Sequence, residues 1–177
     1  MKKRKVLVFG SVLATAVITG GVALAASTSN GGYGDLRRTV RYSADPTATS
    51  SVTYATVPGA LVDVAVPTNR FQQVLARFTA ESRCDGGPVN SYCTVRIRAP
   101  NLGTNVVRDF QPQPNLDFAF DSASTDNWES NSMARVAHLE SGTWRLEAQY
   151  AVNNPANTFR VDDWTLEVDQ LNETPVT

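Results

Sequence analysis

Apolar and polar residues alternate along much of this 177-residue chain, and this period of two most constrains its fold. The clearest example is 144–150 (WRLEAQY), where every second residue is apolar. Successive side chains of a β-strand point to opposite faces, so such a segment buries one face, here with Trp144 in the core. No segment keeps the i, i+3, i+4 spacing of an amphipathic helix long enough to predict one. The pattern therefore predicts an all-β fold.

The strand-like runs are short, rich in Val, Thr, Phe and Tyr, and separated by Pro, Gly and Asn. Nine are predicted: 52–57, 61–66, 72–82, 93–99, 106–109, 116–121, 133–139, 142–152 and 158–168. Pro58 and Gly59 predict a tight turn between the first two. Two sheets that are each apolar on one face bury those faces either by packing against each other or by closing into a barrel. About nine antiparallel strands therefore predict a two-sheet sandwich, jelly-roll-like in arrangement.

The last of these runs changes the parity of its apolar residues. Phe159 and Val161 share one parity, whereas Trp164 and the apolar residues after it share the other. One extra residue in a strand exchanges the residues that face inward with those that face outward. We therefore expect a β-bulge at Asp162 and Asp163, with Trp164 in the core.

The first 25 residues have the pattern of a secretory signal peptide. A basic start at 2–5 precedes an apolar run at 6–18, and an A-x-A cleavage site occupies 23–25. The alternative is an uncleaved anchor, because 6–26 approaches the ~20 residues that span a bilayer. We expect cleavage near Ala25 and a secreted, extracellular product of the general secretory route.

The rest of the chain divides by composition into three parts. Residues 26–51 are poor in large apolar side chains and are expected to form a flexible N-terminal segment. Residues 52–169 contain the predicted strands and form the β-sandwich domain, and 170–177 form a C-terminal tail.

Charge limits the partners of the secreted chain. Removal of residues 1–25 takes four of the 16 cationic side chains and none of the 17 acidic ones, which leaves a net charge of −5. Nucleic acids and anionic lipids need a basic surface. We therefore expect no nucleic-acid partner and no membrane partner after signal cleavage. Arg37, Arg38 and Arg41 form the one basic cluster, which either contacts an anionic wall polymer or is simply solvated.

Cys84 and Cys93 are the only cysteines of the chain, and turn-forming residues lie between them. In an exported protein this pair predicts a disulfide across a loop, between neighbouring strands. A redox pair is disfavoured, because it needs the two-residue spacing that lowers a thiol pKa. With His138 as the single imidazole, the two thiols offer too few ligands for a metal. The immunoglobulin arrangement is disfavoured too, because its cysteines lie far apart in sequence.

Five short segments carry a resemblance to other proteins: 76–82 (ARFTAES), 93–97 (CTVRI), 117–122 (DFAFDS), 128–133 (WESNSM) and 162–164 (DDW). Together they resemble a family of small secreted bacterial β-sandwich proteins without an established activity. The resemblance implies the fold and the compartment and no site. The strand rhythm is also similar to that of the trimeric head domains related to complement C1q, although the collagen-like repeat of many such proteins is absent from this sequence.

Four acidic residues, Asp117, Asp121, Asp126 and Glu129, lie within thirteen positions. Ca²⁺ accepts six to eight oxygen ligands in flexible geometry, so Asp121, Asp126 and Glu129 are candidate calcium ligands. The alternative is ordinary solvated acids, since Asp117 and Asp121 are expected on the solvent face of a strand. We predict no other metal and no other cofactor.

The same loop has the composition of a sugar-binding site. Trp128 offers an aromatic face, and Asp126, Asn127 and Glu129 offer groups that bind hydroxyls. The alternative is that Trp128 caps the end of the core.

The chain lacks a recognisable catalytic motif. Paired carboxylates could serve glycoside hydrolysis, but no spacing fixes two of them across a cleft. His138 stands without the G-x-S-x-G segment of many serine hydrolases. We therefore expect a secreted, non-catalytic extracellular module that binds a glycan or a cell-wall component. The alternatives are a carboxylate-based secreted hydrolase and an oligomeric surface or matrix protein, and the oligomeric state stays open.

Overall fold

The computed structural model describes residues 27–33, 36–112, 118–123 and 127–175. Every regular element in these ranges is a β-strand and every strand pairing is antiparallel, so the all-β prediction is confirmed. The strands are β1 (Ser27–Tyr33), β2 (Leu36–Ser43), β3 (Thr47–Thr49), β4 (Ala55–Gly86), β5 (Tyr92–Pro100), β6 (Val107–Asp109), β7 (Asp121–Ser122), β8 (Glu129–Val152) and β9 (Asn157–Pro175).

Strands β4 and β8 form a long ribbon that organises the sheet. The strand order is β1-β2-β9-β4-β8-β5-β6, with β3 added to β9 and β7 to β5. The two halves of the ribbon have different neighbours. The β9 region, as we call it, consists of residues 71–86 of β4, residues 129–140 of β8 and the adjacent strands β9 and β2. The β5 region consists of residues 55–66 of β4, residues 142–152 of β8 and the adjacent strands β5 and β6.

The turn predicted at Pro58 and Gly59 is wrong, because the chain does not reverse there. Residues 55–56 and 61–66 both pair with β8, and a register shift between them absorbs the intervening residues. Gly59 has a φ of 78°, which glycine adopts at little cost. The Pro-Gly pair therefore forms an irregularity within one continuous strand.

The β-bulge predicted in the last strand is confirmed. Thr79 pairs with Thr165 while Glu81 pairs with Asp162, so β9 has one residue more than β4 over this interval. Asp163 has a φ of 42°, in the left-handed region that marks such irregularities. The apolar residues on both sides of the bulge are buried, so the extra residue keeps them on the same face.

The structure differs from the flexible segment predicted for 26–51. β2 pairs with β9 along residues 37–43, and β3 pairs with β9 at 47–49. Arg38 of the predicted basic cluster donates to both carboxylate oxygens of Asp169 at 2.6 and 3.0 Å. β9 itself continues to Pro175, past the expected domain end at 169. Within this segment only residues 39–42 (TVRY) alternate like a strand, and the pairings beyond them depend on backbone hydrogen bonds and ion pairs that composition does not show.

Cys84 and Cys93 form the predicted disulfide, and both side chains are fully buried. They lie on β4 and β5, which do not pair with each other but flank β8, so the expectation of neighbouring strands is wrong. The Cα atoms of the two cysteines are 5.7 Å apart.

The same bond shows that the ribbon folds back on itself. Cys84 lies just beyond Ser82, which pairs with Glu129 at the start of β8. Cys93 pairs with Val152 at the other end of β8. A straight strand of 24 residues would separate these ends by about 75 Å. The disulfide therefore closes a bend of the whole ribbon.

A single cluster of buried apolar side chains takes members from both regions. Tyr150 of the β5 region has its ring 6.1 Å from that of Phe159 in the β9 region. Trp144 and Trp164 are 2% and 1% exposed, which confirms their predicted place in the core. The buried cluster thus includes side chains from both regions of the ribbon.

Candidate functional site

The structure describes only part of the predicted acidic loop. Asp117 and Asp126 lie outside the described residues. Asn127 and Trp128 are exposed just before β8, and Glu129 is the exposed first residue of that strand. Trp128 is 44% exposed, so it does not cap the core.

Asp121 was expected on a solvent-facing side of a strand and is instead buried, with 4% of its surface exposed. It belongs to the short strand β7, which lies against the start of β5 at Cys93. Ser82 Oγ donates to Asp121 Oδ2 at 2.7 Å, and Asn131 Nδ2 donates to Ser82 Oγ at 3.0 Å. Within the described part of the chain, Asp121 Oδ1 has no hydrogen-bond partner.

Burial raises the pKa of the Asp121 carboxyl above its ordinary value, because water no longer solvates the charged form. Hydrogen bonds from the Ser82 side chain and the Ser122 backbone lower this pKa, while the negative charges of Glu129 and Asp85 raise it. Across the described ranges, no group of three or more His, Cys, Asp or Glu side chains could hold a metal ion. The calcium prediction thus involves two described acids, Asp121 and Glu129.

A groove of about 240 Å³ lies where the segment before β4, the start of β5 and the end of β8 meet. Its lining combines two tyrosine side chains, aliphatic groups, a threonine hydroxyl and an asparagine amide: Val52, Tyr54, Tyr92, Thr94, Ala151, Val152 and Asn153. Aromatic and aliphatic walls with a few fixed polar groups are typical of small-molecule sites.

The Tyr54 side chain is held from two directions. Its hydroxyl and that of Thr94 share a hydrogen bond of 2.8 Å. The Arg96 guanidinium carbon lies 4.0 Å from the centre of the Tyr54 ring, which is a cation–π contact. Asn153 accepts a hydrogen bond from the backbone N–H of Tyr92 at 2.8 Å, which ties the end of β8 to the start of β5. The aromatic wall of the groove is therefore largely preformed.

Polar side chains continue from the groove across the outer face of the β5 region. Arg96 Nε donates to Gln149 Oε1 at 2.8 Å, and Gln149 Nε2 donates to Glu147 Oε2 at 2.8 Å. Thr56 Oγ1 donates to the same Glu147 oxygen at 3.2 Å. Burial lowers the pKa of Arg96, and the charge of Arg98 lowers it further. This face offers hydroxyl, amide and charged groups in fixed positions beside two tyrosines.

Sequence reasoning missed this groove, because its walls come from three segments at 52–54, 92–94 and 151–153. Taken alone, each segment has the sequence pattern of an ordinary strand end. Of the predicted loop residues, the three that the structure describes, Asn127, Trp128 and Glu129, do not line the groove. His138, the single imidazole, is exposed on β8 and is also outside the lining.

No protein-family model matches the chain, and no curated protein matches it either. Among the described residues, no helix has the length and apolar character needed to cross a membrane.

Proposed function

We propose that this protein is a secreted, non-catalytic β-sandwich module that binds a glycan or cell-wall polymer through the Tyr54–Tyr92 groove. The observation that carries the proposal is the pair of tyrosines, one of them fixed by Thr94 and Arg96, beside a half-buried polar sheet face. Aromatic rings pack against the apolar C–H face of a sugar, and neighbouring amides and hydroxyls bind its hydroxyl groups.

The proposed architecture is a two-sheet sandwich. Its support is the bend of the β4–β8 ribbon, closed by Cys84 and Cys93, and the contact between Tyr150 and Phe159 from its two regions. Two sheet regions that share one core bury their apolar faces against each other. The opposite faces are then left for ligands.

The extracellular location is supported by the disulfide, since such bonds persist in oxidising compartments. The signal pattern at 1–25 lies outside the described residues and supports export on sequence grounds alone.

The size of the groove favours recognition of one short part of a long polymer. Pockets that enclose a small molecule measure about 300–1,000 Å³, and this groove is smaller, at about 240 Å³. A ligand held in this way stays mostly in water. We therefore expect weak binding to a single short oligosaccharide and stronger retention on an insoluble polymer, where many contacts act together.

The test is a pull-down on insoluble peptidoglycan and on insoluble polysaccharides, followed by calorimetry with soluble fragments of whichever polymer retains the protein. Tyr54→Ala and Tyr92→Ala should each lose most of the retention. Tyr42→Ala is the matched control, because Tyr42 is a tyrosine of β2 that is 48% exposed and lies outside the groove. Trp128→Ala tests the loop predicted from the sequence.

Loss of retention in Trp128→Ala, with Tyr54→Ala and Tyr92→Ala unaffected, would move the binding site to the loop. Absence of retention on every polymer, together with a monomer by light scattering, would contradict the proposal.

One observation favours the alternative of a carboxylate-based secreted hydrolase. The raised pKa of Asp121 is a property of general acids, and Glu129 is a second carboxylate near it. Against this, Asp121 is 4% exposed and does not line the groove. Release of reducing sugar by the wild type that is lost in Asp121→Asn would establish the hydrolase. Binding without release would favour the module.

A further inference from the structure

The buried carboxylate of Asp121 has a feature that the glycan proposal leaves unexplained. Its Oδ2 accepts a hydrogen bond from Ser82, and the Ser122 backbone also contributes a hydrogen bond to the carboxylate. The other oxygen is buried and has no partner in the part of the chain that the structure describes. An anion removed from water and only half satisfied is costly, so native proteins generally pair such groups.

Two further oxygen-bearing side chains belong to β8 residues beside Ser82. Glu129 lies directly opposite Ser82 in the β4–β8 pairing, and Asn131 is two residues further along β8. Residues two apart on a strand share a face, and directly opposed Cβ atoms are about 5 Å apart. The Asn131 amide already reaches Ser82 Oγ at 3.0 Å, on the same hydroxyl that binds Asp121. The two acids and the amide therefore converge on one side of the ribbon.

We propose that Asp121, Glu129 and Asn131 bind a Ca²⁺ ion, with the unpartnered Oδ1 of Asp121 as the central ligand. Two carboxylates and an amide are hard oxygen donors, which Ca²⁺ prefers, and water completes its six to eight ligands. The ion removes the repulsion between Asp121 and Glu129 and satisfies the buried oxygen. Zn²⁺ fits poorly, since the set contains neither imidazole nor thiolate.

The expected affinity is that of extracellular calcium modules, with a Kd of about 10⁻⁴–10⁻³ M, because two carboxylates give the site a modest charge. The ion would fasten β7 to the start of β8, beside the disulfide. This inference is independent of the groove.

The test uses the purified secreted protein, stripped with EDTA at pH 7 and then titrated with CaCl₂ to 10 mM during thermal unfolding. A ligand at 10 to 100 times its Kd should raise the Tm by roughly 3–10 °C. Asp121→Asn and Glu129→Gln should each abolish most of this rise. Glu140→Gln is the matched control, because Glu140 is an exposed β8 carboxylate paired with Arg108.

Asp121→Asn also removes a buried charge, so without calcium it should unfold at the wild-type temperature or above. Its loss of response is then not a failure to fold, and calorimetry should give one Ca²⁺ per chain for the wild type and Glu140→Gln only. MgCl₂ alone should give a smaller rise, because Mg²⁺ demands near-octahedral geometry. The proposal is overturned if the wild-type Tm does not respond to Ca²⁺, or if Asp121→Asn and Glu129→Gln respond as fully as the wild type.

Discussion

Removal of the Cys84–Cys93 disulfide should destabilise the protein by several kcal/mol, and the structure sets the magnitude. The bond closes a loop of about ten residues, for which the chain-entropy relation gives about 2.7 kcal/mol at 25 °C. Both cysteines are fully buried, so replacing them by alanine also leaves unfilled space, which adds to the loss. For a domain of this size, 2.7 kcal/mol corresponds to a fall in Tm of about 5–10 °C.

The variant is the double substitution Cys84→Ala with Cys93→Ala, measured by equilibrium urea unfolding. Trp144 and Trp164 are almost fully buried, so their fluorescence reports the loss of the core. The m value, which is the steepness with which the free energy of unfolding falls with urea concentration, should increase, because the unfolded chain without the cross-link exposes more surface. The single variant Cys84→Ala is the control, since it lacks the bond but keeps one sulfur.

A double variant within 0.5 kcal/mol of the wild type would refute this reasoning. It would mean that the bend of the ribbon is held by the strand pairing and the core alone. A loss well above about 5 kcal/mol would point instead to failure of the bend itself, and amide exchange should then increase in both β4 and β5.

Three further predictions concern the core, the bulge and one surface ion pair. Phe78→Ala should cost about 3–5 kcal/mol in urea unfolding, because Phe78 is fully buried against Trp164; Phe78→Leu, which refills much of the space, should lose clearly less. Asp163→Val should destabilise by about 1–3 kcal/mol and Asp163→Gly should not, because the residue has a φ of 42°; equal effects would exclude backbone strain. The hydrogen bond from Arg145 lowers the pKa of Asp63, so the folded state binds fewer protons there than the unfolded state. The stabilisation is present above the unfolded pKa of about 3.9 and is lost as pH falls through the folded value. Because the pair is largely exposed, a double-mutant cycle with Asp63→Asn and Arg145→Met should give less than about 1 kcal/mol at pH 7, and the coupling should decrease as the pH falls below about 3.9.

Local pattern predicted the strands well but not where one strand ends. The segments 61–66 and 72–82, together with residues 55–57 of the first predicted run, belong to one strand, and 133–139 and 142–152 belong to another. A Pro-Gly pair can reverse a chain or interrupt a strand, and the choice depends on which partner the next residues find. That partner is β8, about 80 residues further along the chain.

The candidate sites divide in the same way. Asp121 and Glu129 were visible as acids, but the burial of Asp121 depends on β7 lying against β5 at Cys93. The tyrosine groove left no local signal at all. Tyr54 and Tyr92 become neighbours only when the ends of three strands meet.

The amino-acid sequence alone determined the strand character of the chain, its one disulfide and the bulge at Asp162 and Asp163. These follow from side-chain alternation, cysteine number and parity, which act between residues close in the chain. Tertiary structure alone decided the bend of the ribbon, the burial of Asp121 and the groove between Tyr54 and Tyr92. Such features depend on contacts between residues far apart in sequence, which form only because burying one common core outweighs the entropy lost in bringing those segments together.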